Sequence, residues 1–212
     1  MELLEAIERI ASKIAPGRAP SFNEAQVVKA LEVIGAYGTL GRIRLSKELE
    51  LGEGATRTLL KHLKKEGLIE GSRRGTTFSE YGKKLFSNLT SKISEVIEVP
   101  NSHLTVGPFN MAVLVRNAAH AVRSGVEQRD KAIKVGALGA TTLIFSRSKL
   151  TMPSCEEDVF KGISFIYDML LSKLNPKEND VIVIGSGENK TSAEIGAKMA
   201  ALELLKFESE NK

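Results

Sequence analysis

Tryptophan is absent from this 212-residue chain, cysteine occurs once, and aromatic residues make up only 5% of it. The single thiol, Cys155, excludes an intrachain disulfide and fits a reducing cytoplasm. His62, His103 and His120 stand at no metal-ligand spacing, and one cysteine cannot complete a zinc set, so no metal is expected. No apolar run approaches the ~18 residues of a membrane span. The longest candidate, 135–146, is interrupted by glycine and threonine. The opening Met1-Glu2-Leu3-Leu4-Glu5 is acidic where a secretory leader would be basic. The expectation is a soluble, cytoplasmic chain with no membrane association. No catalytic triad or phosphoryl-transfer set can be assembled. Ser154-Cys155-Glu156-Glu157-Asp158 reads most simply as a helix start with acids in its first turn. Neither an enzyme nor a cofactor is therefore expected.

What the chain does have is 42% hydrophobic residues, enough for one or two ordinary cores, and an uneven charge. The formal net charge is +4. Between residues 42 and 84 eleven lysines and arginines face six glutamates, a local +5 that leaves −1 for the rest. Such a concentrated excess is either a solvated surface or the footprint of a polyanion.

That basic segment has an internal order. Ser46 can cap a short helix over 46–51, with GRIRL (41–45) before it as a short strand. Gly52 supplies a turn, and Thr56, Leu60 and Leu63 line one face of a second helix. Its other face carries Arg57, Thr58, Lys61 and Lys64, and Gly67 suits a C-terminal cap. Leu68-Ile69 and Thr76-Thr77-Phe78 then flank a polar, glycine-rich loop holding Arg73 and Arg74, and Ser79 can cap a further helix. Upstream, Asn23 can cap a supporting helix containing Val27, Ala30, Leu31 and Ile34.

Helix, turn, helix, basic hairpin and helix resembles a winged helix-turn-helix. The motifs LSKELELGEGATRTLLKHLKKEGLIE and GTTFSEYGKKL are similar to those of winged-helix regulators, including the repressor module of bifunctional biotin ligases. The GRGRxG-type biotin loop of those enzymes is absent. RDKAIKVGALGATTLIF and DVIVIGSGENKTSAEIGAKMA extend the likeness to an archaeal two-domain family whose second domain has no assigned function. The scarcity of glutamine, two residues, fits a thermophile. The resemblance implies double-stranded DNA as partner. Arg57, Thr58 and Lys61 would lie near base edges, Ser46 and Lys47 beside them, and Arg73 and Arg74 at the wing.

The remainder is α/β (α+β) in pattern, and four regions are expected. Residues 1–20 form an amphipathic helix and a breaker-rich linker. Its stripe of Leu3, Leu4, Ile7, Ile10 and Ile14 is open to packing within the chain or on a second subunit. Residues 21–86 are the winged module, and 87–100 continue a long exit helix (80–99) able to pair two copies as a homodimer. Residues 101–212 form a ligand-sensing or dimerising domain, with a strand near 103–106 and a helix over 109–122. Strands over 140–145, 149–152 and 181–184 and helices over 127–135, 156–174 and 191–207 follow. One loop there invites a ligand: Gly185, Ser186, Gly187, Lys190 and Thr191 join a strand to a helix N-terminus, where amides favour an anion. It is neither a Walker A motif nor a full GxGxxG, so a plain strand-to-helix connection competes. The sequence thus points to a DNA-binding transcriptional regulator with a possible small-molecule effector. The alternative is an enzyme or nucleotide/anion-binding C-terminal domain carrying an appended winged module, and protein contact within a transcription complex is a third.

Overall fold

The computed structural model describes residues 2–12, 20–155 and 157–210; Ile14, most of the breaker-rich linker, and Glu156 lie outside the described residues. The chain is α+β and falls into two units, Met1–Thr90 and Ser91–Lys212. Among the described residues no helix is long and apolar enough to cross a membrane, and no group of His, Cys, Asp and Glu could hold a metal.

The first unit holds α1 (Glu2–Ala11), α2 (Glu24–Tyr37), α3 (Arg42–Leu49), α4 (Glu53–Lys65), a hairpin of β1 (Ile69–Ser72) and β2 (Gly75–Phe78), and most of α5 (Glu80–Lys92). Asn23 caps α2 as expected, within a reciprocal pair. Its side chain accepts the Gln26 amide at 3.0 Å, and the Gln26 side chain accepts the Asn23 amide at 3.0 Å. The stripe of α1 is buried on α2 and α4. His62 Nδ1 lies 2.7 Å from the Ile10 carbonyl, and Arg9 pairs with Glu66 at 3.1 Å. Leu3, Leu4, Ile7 and Ile10 are each under 10% exposed. Their burial, about 1.5–3 kcal/mol apiece, makes α1 part of this unit.

Three local expectations are corrected here. GRIRL is not a strand: only Leu40 bridges the hairpin, through Thr76, and α3 begins at Arg42. Leu45 and Leu49, four apart, are its buried positions, so the alternation over 41–45 has no sheet to face. The Ser46 hydroxyl donates to the Leu51 carbonyl at the end of α3 instead of capping its start. Glu50 takes the left-handed turn, with φ at 51°, while Gly52 is extended at the start of α4. On α4 the buried face holds Thr56 and Leu63 as expected, together with Leu59 and His62, while Leu60 is half-buried.

The second unit is built on a five-stranded sheet. Its order is β3 (Ile97–Glu98), β4 (Phe109–Val115), β7 (Val181–Gly187), β5 (Gly139–Ser146) and β6 (Lys149–Thr151), with every neighbouring pair antiparallel. Ile182 and Ile184 face α7 (Ser164–Leu174) through Ile166, Leu170 and Leu174. The opposite face carries α6 (Val126–Lys134) and α8 (Lys190–Glu210). Strand β7 is buried along its whole length, between the two helical layers.

Here the expected helix over 109–122 is strand β4. A continuous apolar run buried on both faces has no period to distinguish strand from helix. Residues 103–106 form no strand. The exit helix stops at Lys92, because Ile93 bridges Val115 and the Ser94 amide donates to the Leu114 carbonyl at 2.9 Å. The chain joins the sheet edge over 93–98, where the exit helix was expected to run on to 99. Before α7, Gly162 (φ 81°) and Ile163 interrupt the helix expected from 156.

Candidate nucleic-acid interface

The hairpin and α4 are held together by one small knot. The Leu68 amide donates to the Leu63 carbonyl and the Gly67 amide to Lys64, the six-to-one and five-to-two bonds of a glycine C-cap. The Ser79 hydroxyl donates to the Gly67 carbonyl and accepts the Gly82 amide at 2.9 Å, ending α4 and starting α5 with one oxygen. A Cβ at Gly82 would lie 1.9 Å from the Leu68 carbonyl oxygen, so residue 82 must be glycine. The Phe-Ser-Glu-x-Gly pattern therefore fixes the angle between α4, the hairpin and α5.

On this frame α4 presents Arg57, Lys61 and Lys64 to solvent at i, i+4 and i+7. Thr58 is half-buried on the same side, and its hydroxyl donates to the Gly54 carbonyl at 3.0 Å. The hairpin turn is shorter than expected: Ser72 pairs with Gly75, leaving only Arg73 and Arg74 at the tip. The Ser72 hydroxyl accepts the Arg74 amide and donates to the Gly75 carbonyl, which stiffens the turn. Both arginine side chains are exposed. Gly75, with φ at 139°, passes so close to the Leu40 carbonyl that a Cβ would meet it at 2.6 Å.

Helix α3 adds cations. Lys47 is exposed, whereas half-buried Ser46 spends its hydroxyl on Leu51. At the start of α3 an open groove of about 560 Å³ is lined by Gly41, Arg42, Ile43, Arg44 and Lys47. Gly41 offers no side-chain cap, so the first-turn amides of α3 face solvent beside these cations. Arg42 lies 3.7 Å from Glu53, while Arg44 stacks 3.9 Å over the Tyr37 ring and approaches Glu48. Among the described residues Lys47, Arg57, Lys61, Arg73 and Arg74 have no ion-pair partner. The groove at Arg42–Arg44 went unread in the sequence because GRIRL mimics a strand.

The glycine loop of the second unit sits differently from its sequence reading. Gly185, Ser186 and Gly187 belong to strand β7, and all three are buried. A Cβ at Gly185 would lie 2.3 Å from the Ala193 carbonyl, and one at Gly187 would lie 2.2 Å from the Ser192 hydroxyl. These glycines let α8 close on the strand. The Ser186 hydroxyl donates to Asn110 at 2.7 Å and accepts the Val106 amide. Asn189 caps α8 by accepting the Ser192 amide, and Lys190 pairs with Glu98 at 2.7 Å. Thr191 is half-buried. Of the amides at the start of α8, those of Asn189 and Ser192 are engaged within the chain.

Residues 36–84 match the family model described as PH0730-like, N-terminal domain, and residues 106–204 match that of a domain of unknown function (DUF4443). Comparison with curated proteins returns no match. The solved structure titled "Hypothetical protein PH0730 from Pyrococcus horikoshii OT3" is 28% identical with a TM-score of 0.63, over 85% of this chain and 98% of that one. The chain is therefore similar, across both of its units, to a two-domain archaeal protein.

Proposed function

We propose that this protein is a DNA-binding transcriptional regulator of the cytoplasm. Its first unit acts as a winged helix-turn-helix on double-stranded DNA. Helix α4 enters the major groove, where Arg57 reads a guanine edge and Lys61 and Lys47 meet flanking phosphates. The tip arginines, Arg73 and Arg74, follow the adjacent minor groove or its phosphates. The observation carrying this reading is the set of seven exposed cations without ion-pair partners among the described residues on α3, α4 and the hairpin tip, Lys47, Arg57, Lys61, Lys64, Lys65, Arg73 and Arg74. Isolated arginines and lysines usually serve solubility; seven on three successive elements suit a polyanion.

The second unit acts as the sensor, the dimerisation domain, or both. The apolar stripes of α1 and α5 are spent inside the chain, so neither is the pairing surface. Val106 (65% exposed) lies beside Gly139 and Leu138 beside Gly107, and these two exposed side chains offer apolar area to a second copy. The alternative is a nucleotide- or anion-binding second unit; against it stands the burial of Gly185, Ser186 and Gly187 in β7 beneath α8.

Fluorescence anisotropy with a duplex from upstream of the protein's own gene tests the reading. Arg57→Ala is expected to cost about 1–3 kcal/mol on the preferred duplex and to relax sequence preference, whereas Arg73→Ala weakens all duplexes alike. Absence of salt-sensitive duplex binding by the purified protein overturns it.

A further inference from the structure

On the opposite side of the hairpin from its tip, α2, β2 and α5 border an open groove of about 410 Å³, inside the range of small-molecule sites. Its walls are Ile34, Gly35, Thr77, Phe78, Phe86 and Ser87. The Phe78 and Phe86 rings stack at 5.1 Å with 27° between their planes, and both are only half-buried. A Cβ at Gly35 would lie 2.5 Å from the Phe86 ring, so glycine lets that ring approach the α2 backbone closely. The result is a half-exposed aromatic surface within the groove, and covering it with apolar surface is favourable. The Thr77 and Ser87 hydroxyls have no hydrogen-bond partner among the described residues. Lys83 stands at the mouth, bonded at 2.6 Å to exposed Glu80 one turn earlier.

We propose that this groove binds a small aromatic carboxylic acid, its ring against Phe78 and Phe86 and its carboxylate on Lys83. One cation matches one anionic group, and two aromatic side chains in the lining favour a ring over an alkyl chain. Glu80 competes for the same ammonium; its hydrogen bond with Lys83 holds its own carboxyl below the usual range. Thr77 and Phe78 belong to β2, so an occupant braces the hairpin whose other end carries Arg73 and Arg74. The site stands on unit-one geometry alone and does not require that the hairpin touch DNA.

The test is a titration of the ¹⁵N-labelled full chain with 2-naphthoate up to about 10 mM, a concentration suited to fragment-sized ligands. Saturable shifts are expected at the amides of Gly35, Gly38, Thr77, Phe78, Phe86 and Ser87. Lys83→Gln should weaken binding about threefold and Glu80→Gln strengthen it by a similar factor, the scale of an exposed ion pair. Neutral 2-naphthylmethanol should bind wild type and Lys83→Gln alike. Ser87→Trp, at an exposed position on the groove wall, should abolish the shifts while the rest of the spectrum stays folded, and Thr90→Trp should do the same from the rim. No saturable shifts, shifts centred elsewhere, or shifts that survive both tryptophans overturn the site. Equal affinity of naphthoate for wild type and Lys83→Gln overturns the acid.

Discussion

The salt dependence of duplex binding is where the interface makes its sharpest prediction. Lys47, Arg57, Lys61, Arg73 and Arg74 are exposed and free of ion pairs, whereas Arg42 and Arg44 are shared with Glu53 and Glu48 at 3.7 and 3.9 Å. Each phosphate neutralised by a free cation displaces condensed counterions and adds about 0.9 to the log–log slope; with Arg57 on a base, the four contacts of Lys47, Lys61, Arg73 and Arg74 give about −3.6 per protomer. Raising salt from about 50 to about 200 mM should then weaken binding about 150-fold. Two protomers bound together would approach twice that slope. Removing Arg73 and Arg74 should flatten it by about 1.8, and Glu53→Gln, which frees Arg42, should steepen it by about 0.9. The assay is anisotropy of a labelled duplex across a KCl series, for wild type and these variants. A slope shallower than about −1, or one unmoved by the loss of both tip arginines, refutes the placement of these cations on DNA.

Other predictions concern the scaffold. Gly82→Ala gains about 1 kcal/mol of helix propensity, yet it drives a methyl to within 1.9 Å of the Leu68 carbonyl, and overpacking of this kind costs about 3 kcal/mol. Urea unfolding should show a net loss for the first unit, and a midpoint at or above wild type would remove the argument for that glycine. Asn23→Ala breaks the reciprocal cap of α2 and should cost about 1 kcal/mol by the same measurement. Thr142→Val should leave stability unchanged or raise it by up to about 1 kcal/mol. Its hydroxyl is buried with no hydrogen-bond partner among the described residues, and valine keeps the shape. A lower melting temperature would show that the hydroxyl does bond.

The first unit was legible in the sequence because its signals are local. Asn23, Gly67 and Ser79 each act within a few residues of themselves, and each caps where its identity suggests. The partner of Asn23, Gln26, was readable by the same rule. What misled was GRIRL, whose alternation matches a strand although only Leu45 of those five residues is buried. The second unit was less legible because its decisive contacts are distant in sequence. Phe109–Val115 is a strand on account of Val181–Gly187, some seventy residues later, and nothing in a solid apolar run announces that partner. The GSGENKT segment carries the glycines of a phosphate cradle. Here those glycines answer a different demand, the close approach of α8 to β7. The cations of the candidate interface were found from residue type and spacing, whereas the groove at the start of α3 and the one behind the hairpin depend on packing that spacing does not encode.

The sheet order has a consequence in time. Strand β7 is the last of the second unit to appear in the chain, yet it lies between β4 and β5 and supplies the central pairing to both. Until residues 181–187 leave the ribosome, β4 and β5 face each other across an empty lane, each with an unpaired apolar edge. The first unit, rich in near-neighbour contacts, can close while that lane is still open. Synthesis therefore yields a finished head before a finished body, and it exposes two sticky strand edges for as long as the ribosome takes to deliver the strand between them.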